Sequence, residues 1–273
     1  MTESFTFQSG DAMLAAESRG SGPPMVFLHA GVADHRMYDA QMAAFSDRFE
    51  TIAYDRRGFG KTKTPDESFS QIEDLGALFQ TRKLGPAILV GCSQGGRLAL
   101  DFTLARPDRV RALVLVSTAV SGAPAPATDE MPDPIVWLLG EMEDAEEEGD
   151  LEQLNSVEAH MWLDGPLSEE GRVAGPARKL FFEMNAKVLQ APPLNHEVAP
   201  KPAYDRLDDL DLPVLLICGE LDFPHIKDRQ TMLAKLILGA RAKTMPGTAH
   251  LPSLEQPEAF NRLLAEFLDG LED

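Results

Sequence analysis

Gly91-Cys92-Ser93-Gln94-Gly95 sets a serine between two glycines directly after the apolar run Ala87-Ile88-Leu89-Val90. With almost no side chain on either flank, such a serine can occupy a sharp strand-to-helix turn, its hydroxyl raised above the sheet edge as in a nucleophile elbow. Arg97 to Ala105 then spaces its apolar residues as a helix does, so the strand before the turn and the helix after it are both legible. Ser93 is the candidate nucleophile. A hydroxyl is a weak nucleophile near neutral pH, and this chemistry calls for a histidine base and a carboxylate to orient it.

Among six histidines, His250 is the candidate base, because Met245-Pro246-Gly247-Thr248-Ala249-His250 reads as a loop between the last strand and the helix opened by Pro257. His29 also ends a strand pattern, but it leads into Ala30-Gly31 and reads as a brace for that turn. His35, His160, His196 and His225 have no motif around them. The acid is expected between serine and histidine in chain order. Gly219-Glu220-Leu221-Asp222 follows the run ending at Cys218, which makes Asp222 the candidate and Glu220 its competitor, and the strand ending at Ser117-Thr118 offers no carboxylate. Backbone N–H groups of Gln94, after the nucleophile, and Gly31, in the loop His29-Ala30-Gly31-Val32, are the candidate donors to a developing oxyanion.

These groups need a scaffold that brings strand ends together. Short apolar runs at Met25–Leu28, Thr51–Tyr54, Ala87–Val90, Ala112–Val116 and Val214–Ile217 read as strands covered on both faces. Helical patterns near Met37–Phe49, Gln71–Lys83, Gly95–Ala105, Lys227–Leu238 and Pro257–Leu268 alternate with them, while 10–19 and 240–245 read as outer strands. The rhythm breaks over 121–206, where prolines enter and helices follow without strands. The predicted division is therefore a core of 1–120 and 207–273 with a helical cap over 121–206. Trp137, Trp162, Phe181, Phe182 and Met184 are the cap's large apolar side chains, and the acid run from Glu141 to Glu148 reads as a solvated face.

A formal charge of −19, from 44 acidic against 25 basic residues, argues against nucleic acid and anionic membrane surfaces as partners. The first residues show neither a basic start nor a long apolar stretch, so a cytoplasmic location is expected. Cys92 and Cys218 read as small core residues without a disulfide framework. No metal-ligand spacing is present, and Gly58-Phe59-Gly60-Lys61-Thr62 lacks the first glycine of a phosphate-binding loop.

With these pieces together, the chain resembles the α/β-hydrolase superfamily. The resemblance rests on His29-Ala30-Gly31, Tyr54-Asp55-Arg56-Arg57-Gly58-Phe59-Gly60, the elbow, Gly219-Glu220-Leu221-Asp222 and Gly247-Thr248-Ala249-His250. It implies an α/β fold with a mostly parallel central sheet flanked by helices and a helical cap. Within that superfamily the chain is most similar to the cap-bearing serine esterase and lactonase branch, such as 3-oxoadipate enol-lactonases and carboxylesterases. The resemblance implies hydrolysis of a small carboxylic ester or lactone by Ser93, His250 and Asp222 through an acyl-enzyme, with no metal or organic cofactor. It gives Asp55, Arg56 and Arg57 a structural role. Ala30 and Gln94 depart from the family pattern, which usually has glycine at the first and often methionine, leucine or tryptophan at the second. A serine nucleophile argues against dehalogenase and epoxide hydrolase chemistry. Carbon–carbon bond hydrolysis and perhydrolysis use the same triad, and sensors with little turnover share the scaffold. Arg172, Arg178, Lys179 and Lys187 are cap cations available to an anionic lactone.

Overall fold

In the computed structural model, which describes residues 2–126 and 131–271, one eight-stranded sheet runs in the order β1-β2-β4-β3-β5-β6-β7-β8. Its strands are β1 (Thr2–Ser9), β2 (Ala12–Arg19), β3 (Pro24–Leu28), β4 (Glu50–Tyr54), β5 (Ala87–Cys92), β6 (Val110–Val116), β7 (Val214–Gly219) and β8 (Arg241–Met245). β1 and β2 pair antiparallel, β2 meets β4 antiparallel, and every pairing from β4 across to β8 is parallel. β5 and β7 are buried along their whole length, as continuous apolar runs covered on both faces must be. The strand expected over 10–19 is β2, and it is not the sheet edge: β1 pairs along all of it. Of β1 only Phe7 is buried, so no apolar run marks that strand in the sequence.

Helices α2 (Gln71–Arg82), α3 (Gln94–Ala105) and α7 (Pro224–Leu236) bury Leu75, Leu78, Phe79, Leu98, Phe102 and Leu233 against one sheet face. The opposite face receives Met42 and Phe45 from α1 (Asp39–Phe45) and Phe260, Leu264 and Phe267 from α9 (Pro257–Asp269), which follows the short α8 (Pro252–Glu255). Each such side chain contributes roughly 1.5–3 kcal/mol on leaving water. The helix expected over 37–49 is shorter, because a 3₁₀ turn at His35–Tyr38 precedes α1.

Between β6 and β7 the described residues form α4 (Asp133–Glu148), α5 (Leu151–Ala159) and α6 (Gly175–Gln190). α5 runs on into a wider π-type turn at His160–Asp164. Residues 127–130 of this segment lie outside the described ones. Glu143, Asp144, Glu146, Glu147 and Glu148 are exposed, the solvated face their charge predicts. No described helix is long and apolar enough to cross a membrane.

Strand order determines where chemistry can gather. From β3 the chain moves outward to β4, and from β5 it moves the other way to β6, so the connections reverse between neighbours β3 and β5. Such a switch point opens a crevice at the carboxyl ends of the strands. The loop after β3 holds Gly31, and the turn after β5 holds Ser93.

Candidate active site

Ser93 has φ 53° and ψ −115°, a left-handed conformation that a side chain rarely adopts and that costs about 1–3 kcal/mol. The fold holds it there from both sides. The Ser93 N–H donates to the Val116 carbonyl on β6 at 2.9 Å, and its carbonyl accepts from Ala119 at 3.2 Å and Arg97 at 3.0 Å. Gly95 permits the turn: a Cβ on it would lie 2.1 Å from the Leu28 carbonyl oxygen, which is backbone and cannot yield. The Ser93 side chain is half-buried and makes no hydrogen bond with the described residues.

Asp222 and His250, the expected acid and base, meet beyond the ends of β7 and β8. His250 Nδ1 lies 3.1 Å from each oxygen of Asp222, and both residues are 2% exposed. This pairing makes Nδ1 the donor, and Nε2, which has no hydrogen-bond partner among the described residues, is the nitrogen of the neutral ring that can accept a proton, the tautomer a general base needs. Burial pushes the Asp222 carboxyl up, but the charge and hydrogen bond of His250 and the Phe223 N–H at 2.8 Å outweigh it and hold the pKa below the ordinary value. Cys92 Sγ contacts the His250 carbonyl at 3.5 Å, which ties the elbow to the histidine loop. Ser93 and His250 share a neighbourhood but no direct hydrogen bond. The competitor Glu220 is exposed and accepts from the Gly247 N–H at 2.9 Å, so it braces the turn before His250 and does not touch the imidazole.

The Gly31 and Gln94 N–H groups have no acceptor among the described residues, whereas neighbouring loop N–H groups do: Ala30 donates to Met37 Sδ, Ala33 to the Ala30 carbonyl and Asp34 to Met184 Sδ. Open N–H donors are what an anionic oxygen requires. His29 takes the bracing position expected of it. Its Nδ1 donates to the Ala30 carbonyl at 2.8 Å, and Nε2 accepts the Arg56 N–H at 3.0 Å. Burial, assisted by the Arg56 charge, lowers its pKa to about 3 and keeps it neutral.

The structure places two residues that the sequence named only generally, Trp162 and Arg172, and adds one it did not single out, Glu255. Trp162, in the wide turn after α5, lies over the site with its ring centroid 4.7 Å from His250 and 4.8 Å from Phe223. Glu255 grips the histidine loop from below, accepting the N–H groups of Ala249 at 2.9 Å and Leu251 at 3.1 Å on either side of His250. Arg172 pairs with Glu255 at 2.5 Å and donates to the carbonyls of Leu163, Asp164 and Gly247, so one side chain joins the α5–α6 segment to the His250 loop. The only sequence signal for Glu255 is its position five residues after His250, on the helix that the prolines open.

Burial raises the Glu255 carboxyl to about 7, against the lowering effect of Arg172 and the two N–H donors. A carboxyl raised in the folded state stabilises the fold below its ordinary value of 4.5 and loses that contribution as pH rises through about 7. Thermal midpoints of the wild type should therefore carry a decline across this interval that Glu255→Gln lacks. Parallel pH profiles for the two proteins would remove Glu255 from the titration.

Of the cations expected in the cap, Arg172 is consumed by Glu255, Arg178 by Asp164 at 2.7 Å, and exposed Lys179 lies 3.9 Å from Glu183. Exposed Lys187 lines a cleft of about 460 Å³ between Gly58–Phe69 and 187–196, which contains none of Ser93, Asp222 and His250. His35 pairs with Asp55 at 2.7 Å, His160 with the Ser168 carbonyl at 2.9 Å, and His196 with Asp66 at 3.3 Å; His225 lies beside Phe223. Asp34, His35 and Asp55 bring possible metal ligands within 4.8 Å of one another. Arg36 already occupies both oxygens of Asp34, and Asp55 accepts from His35 and the Lys61 N–H, so the cluster's lone pairs are engaged.

Comparison with known proteins agrees with this fold. A model described as the alpha/beta hydrolase family matches residues 25–263. A putative 2-succinyl-6-hydroxy-2,4-cyclohexadiene-1-carboxylate synthase of Bacillus subtilis (strain 168) is 31% identical over 237 residues, which cover 81% of this chain and 81% of that one. Carboxylesterase YbfK of the same organism is 25% identical over 273 residues, 96% of this chain and 85% of its own length. The crystal structure of the enol-lactonase from Burkholderia xenovorans LB400 shares the fold with a TM-score of 0.75 at 22% identity, covering 97% of this chain and 100% of that one. A family match running from β3 into α9, over the sheet and helices just described, makes this chain a hydrolase of the alpha/beta hydrolase family.

Proposed function

We propose that the protein cleaves a small carboxylic ester or lactone through an acyl-enzyme formed on Ser93. One set of observations carries this reading: Ser93 holds a strained backbone at the turn after β5, the Gly31 and Gln94 N–H groups have no acceptor among the described residues, and His250 Nδ1 is held by the buried Asp222 carboxylate. In the reaction His250 Nε2 takes the Ser93 proton as Oγ attacks the carbonyl carbon. The carbonyl oxygen becomes an oxyanion and receives hydrogen bonds from Gly31 and Gln94. Asp222 offsets the charge on the imidazolium, which protonates the departing alkoxide, and water then repeats the sequence on the acyl-enzyme. No metal or organic cofactor takes part in these steps.

The α4–α6 segment, within 121–206, acts in this reading as a cap on a core of 1–120 and 207–273, with Trp162 roofing His250. Because Arg172 and Arg178 are held in ion pairs, neither is open to an anionic acyl group, which favours an uncharged substrate. The two buried free thiols are in keeping with work in the reducing cytoplasm. A panel of neutral and anionic esters and lactones of graded acyl length tests this reading, together with a fluorophosphonate probe. Repeated turnover of neutral substrates, blocked by the probe, is expected. Labelling without turnover would instead support a sensor on a hydrolase scaffold.

A further inference from the structure

Arg56 and Arg57 are neighbours, both are 2% exposed, and they solve the problem of a buried charge in opposite ways. Arg57 has carboxylates on two sides, Asp74 at 2.8 Å and Glu67 at 2.6 Å. Arg56 has no ion pair among the described residues, and its side-chain partners are neutral oxygens. Nη1 donates to Gln71 Oε1 at 3.1 Å and Gln94 Oε1 at 3.4 Å, while Nη2 donates to the carbonyls of His29 at 3.2 Å and Ala30 at 3.4 Å. Nε is buried with no hydrogen-bond partner among the described residues. Burial lowers the guanidinium only to about 10, so it is charged at neutral pH. The Phe59 ring, 4.6 Å from the guanidinium carbon, is a modest compensation. A buried cation without an anion is costly, and a side chain serving packing alone would not need it.

The partners of Arg56 suggest what the charge does. In a planar trans peptide the C=O and N–H point in opposite directions, so whatever fixes the Ala30 oxygen also aims the Gly31 N–H. That oxygen accepts from Arg56 Nη2 and from His29 Nδ1, and rotating the peptide would break both bonds. Drawing electron density toward the carbonyl oxygen also strengthens the N–H as a donor. The same guanidinium holds Gln94 Oε1, and the Gln94 amide nitrogen rests against Gly31, 2.6 Å from where a Cβ on Gly31 would lie.

On the reading of Ser93 as nucleophile, we infer that Arg56 is a positioning residue for the oxyanion hole, joining Gly31 to Gln94 and directing an uncompensated positive charge through the Ala30–Gly31 peptide.

The test compares wild type, Arg56→Met and Arg56→Lys by kcat and KM on a short p-nitrophenyl ester, by affinity for an alkylboronic acid that forms a tetrahedral adduct on Ser93, and by thermal midpoint. Arg56→Met should lower kcat and boronate affinity together by roughly 10²-fold while KM changes less than about twofold. Arg56→Lys keeps the charge without the two-pronged fork and should fall between. A purely structural role would move the thermal midpoint without changing boronate affinity in step with kcat. If Arg56→Met does not fold, Arg56→Lys decides alone. Folded variants whose kcat and boronate affinity stay within about threefold of wild type, or whose loss is confined to KM, overturn the inference. A wild type with neither Ser93-dependent turnover nor boronate binding would refute the hydrolase reading itself and this inference with it, an outcome distinct from failure of Arg56 alone.

Discussion

Replacing Ser93 with alanine is expected to lower kcat for any ester the wild type hydrolyses by roughly 10⁴-fold or more, leaving a folded protein. The expected loss is large because no other group replaces the hydroxyl: Cys92 is fully buried and its thiol is pushed well up by burial, so it supplies no thiolate. The fold should survive because Ser93 Oγ makes no hydrogen bond with the described residues and is not packed in the core. The elbow is held by backbone bonds to Val116, Ala119 and Arg97, which alanine retains. Alanine also keeps the strain at φ 53°, whereas glycine relieves it. Ser93→Gly should therefore be as inactive as Ser93→Ala and melt at a higher temperature, since strain kept for function is released. Turnover of a short p-nitrophenyl ester and a thermal melt of both variants check this. If Ser93→Ala keeps turnover within about tenfold of wild type, the nucleophile has been misassigned.

Ser93 and Asp222 could be proposed from the sequence because each follows a strand readable as a short apolar run, Ala87–Val90 and Val214–Ile217, and His250 because it follows the outer strand expected over 240–245, which is mostly polar and exposed. Parallel strands deliver their carboxyl ends to one edge, so chain order was enough to propose neighbours in space. β1 was missed because it is an edge strand with only Phe7 buried, and edge strands carry polar residues that erase the apolar signal. Trp162 could be named as a large side chain of the cap but not placed. Its position over His250 depends on the wide turn at His160–Asp164 and on how α5 and α6 settle, which are tertiary outcomes. Arg172 read as a free cap cation, but its partner Glu255 lies 83 residues away, and local charge pattern is silent over such a distance. Arg56 was masked by its motif. Beside Asp55 and Arg57, which are structural by their bonds, nothing in the sequence shows that its own partners are neutral.

Asp222→Asn is expected to lower kcat by about 10⁴-fold with the protein still folded, and Glu220→Gln by no more than about twofold. Both oxygens of Asp222 lie 3.1 Å from His250 Nδ1. An asparagine there can turn its NH₂ toward Nδ1, which then accepts a hydrogen bond and leaves the imidazole proton on Nε2. The base would then present a proton where it must receive one, and the imidazolium formed in the reaction would lose its compensating charge. Size and geometry are nearly unchanged, and the Phe223 N–H keeps an oxygen acceptor, so destabilisation should be small compared with the loss of rate. Glu220 offers the control because it lies two residues away in the same loop and carries the same charge. Its carboxylate is exposed and bonded to the Gly247 N–H, and a glutamine oxygen can accept that bond as well. Measuring kcat for both variants on one ester, with thermal midpoints to exclude misfolding, compares the two carboxylates directly. A large loss in Glu220→Gln with Asp222→Asn near wild type would reverse the assignment, and equal losses would show that the loop, not one carboxylate, supports His250.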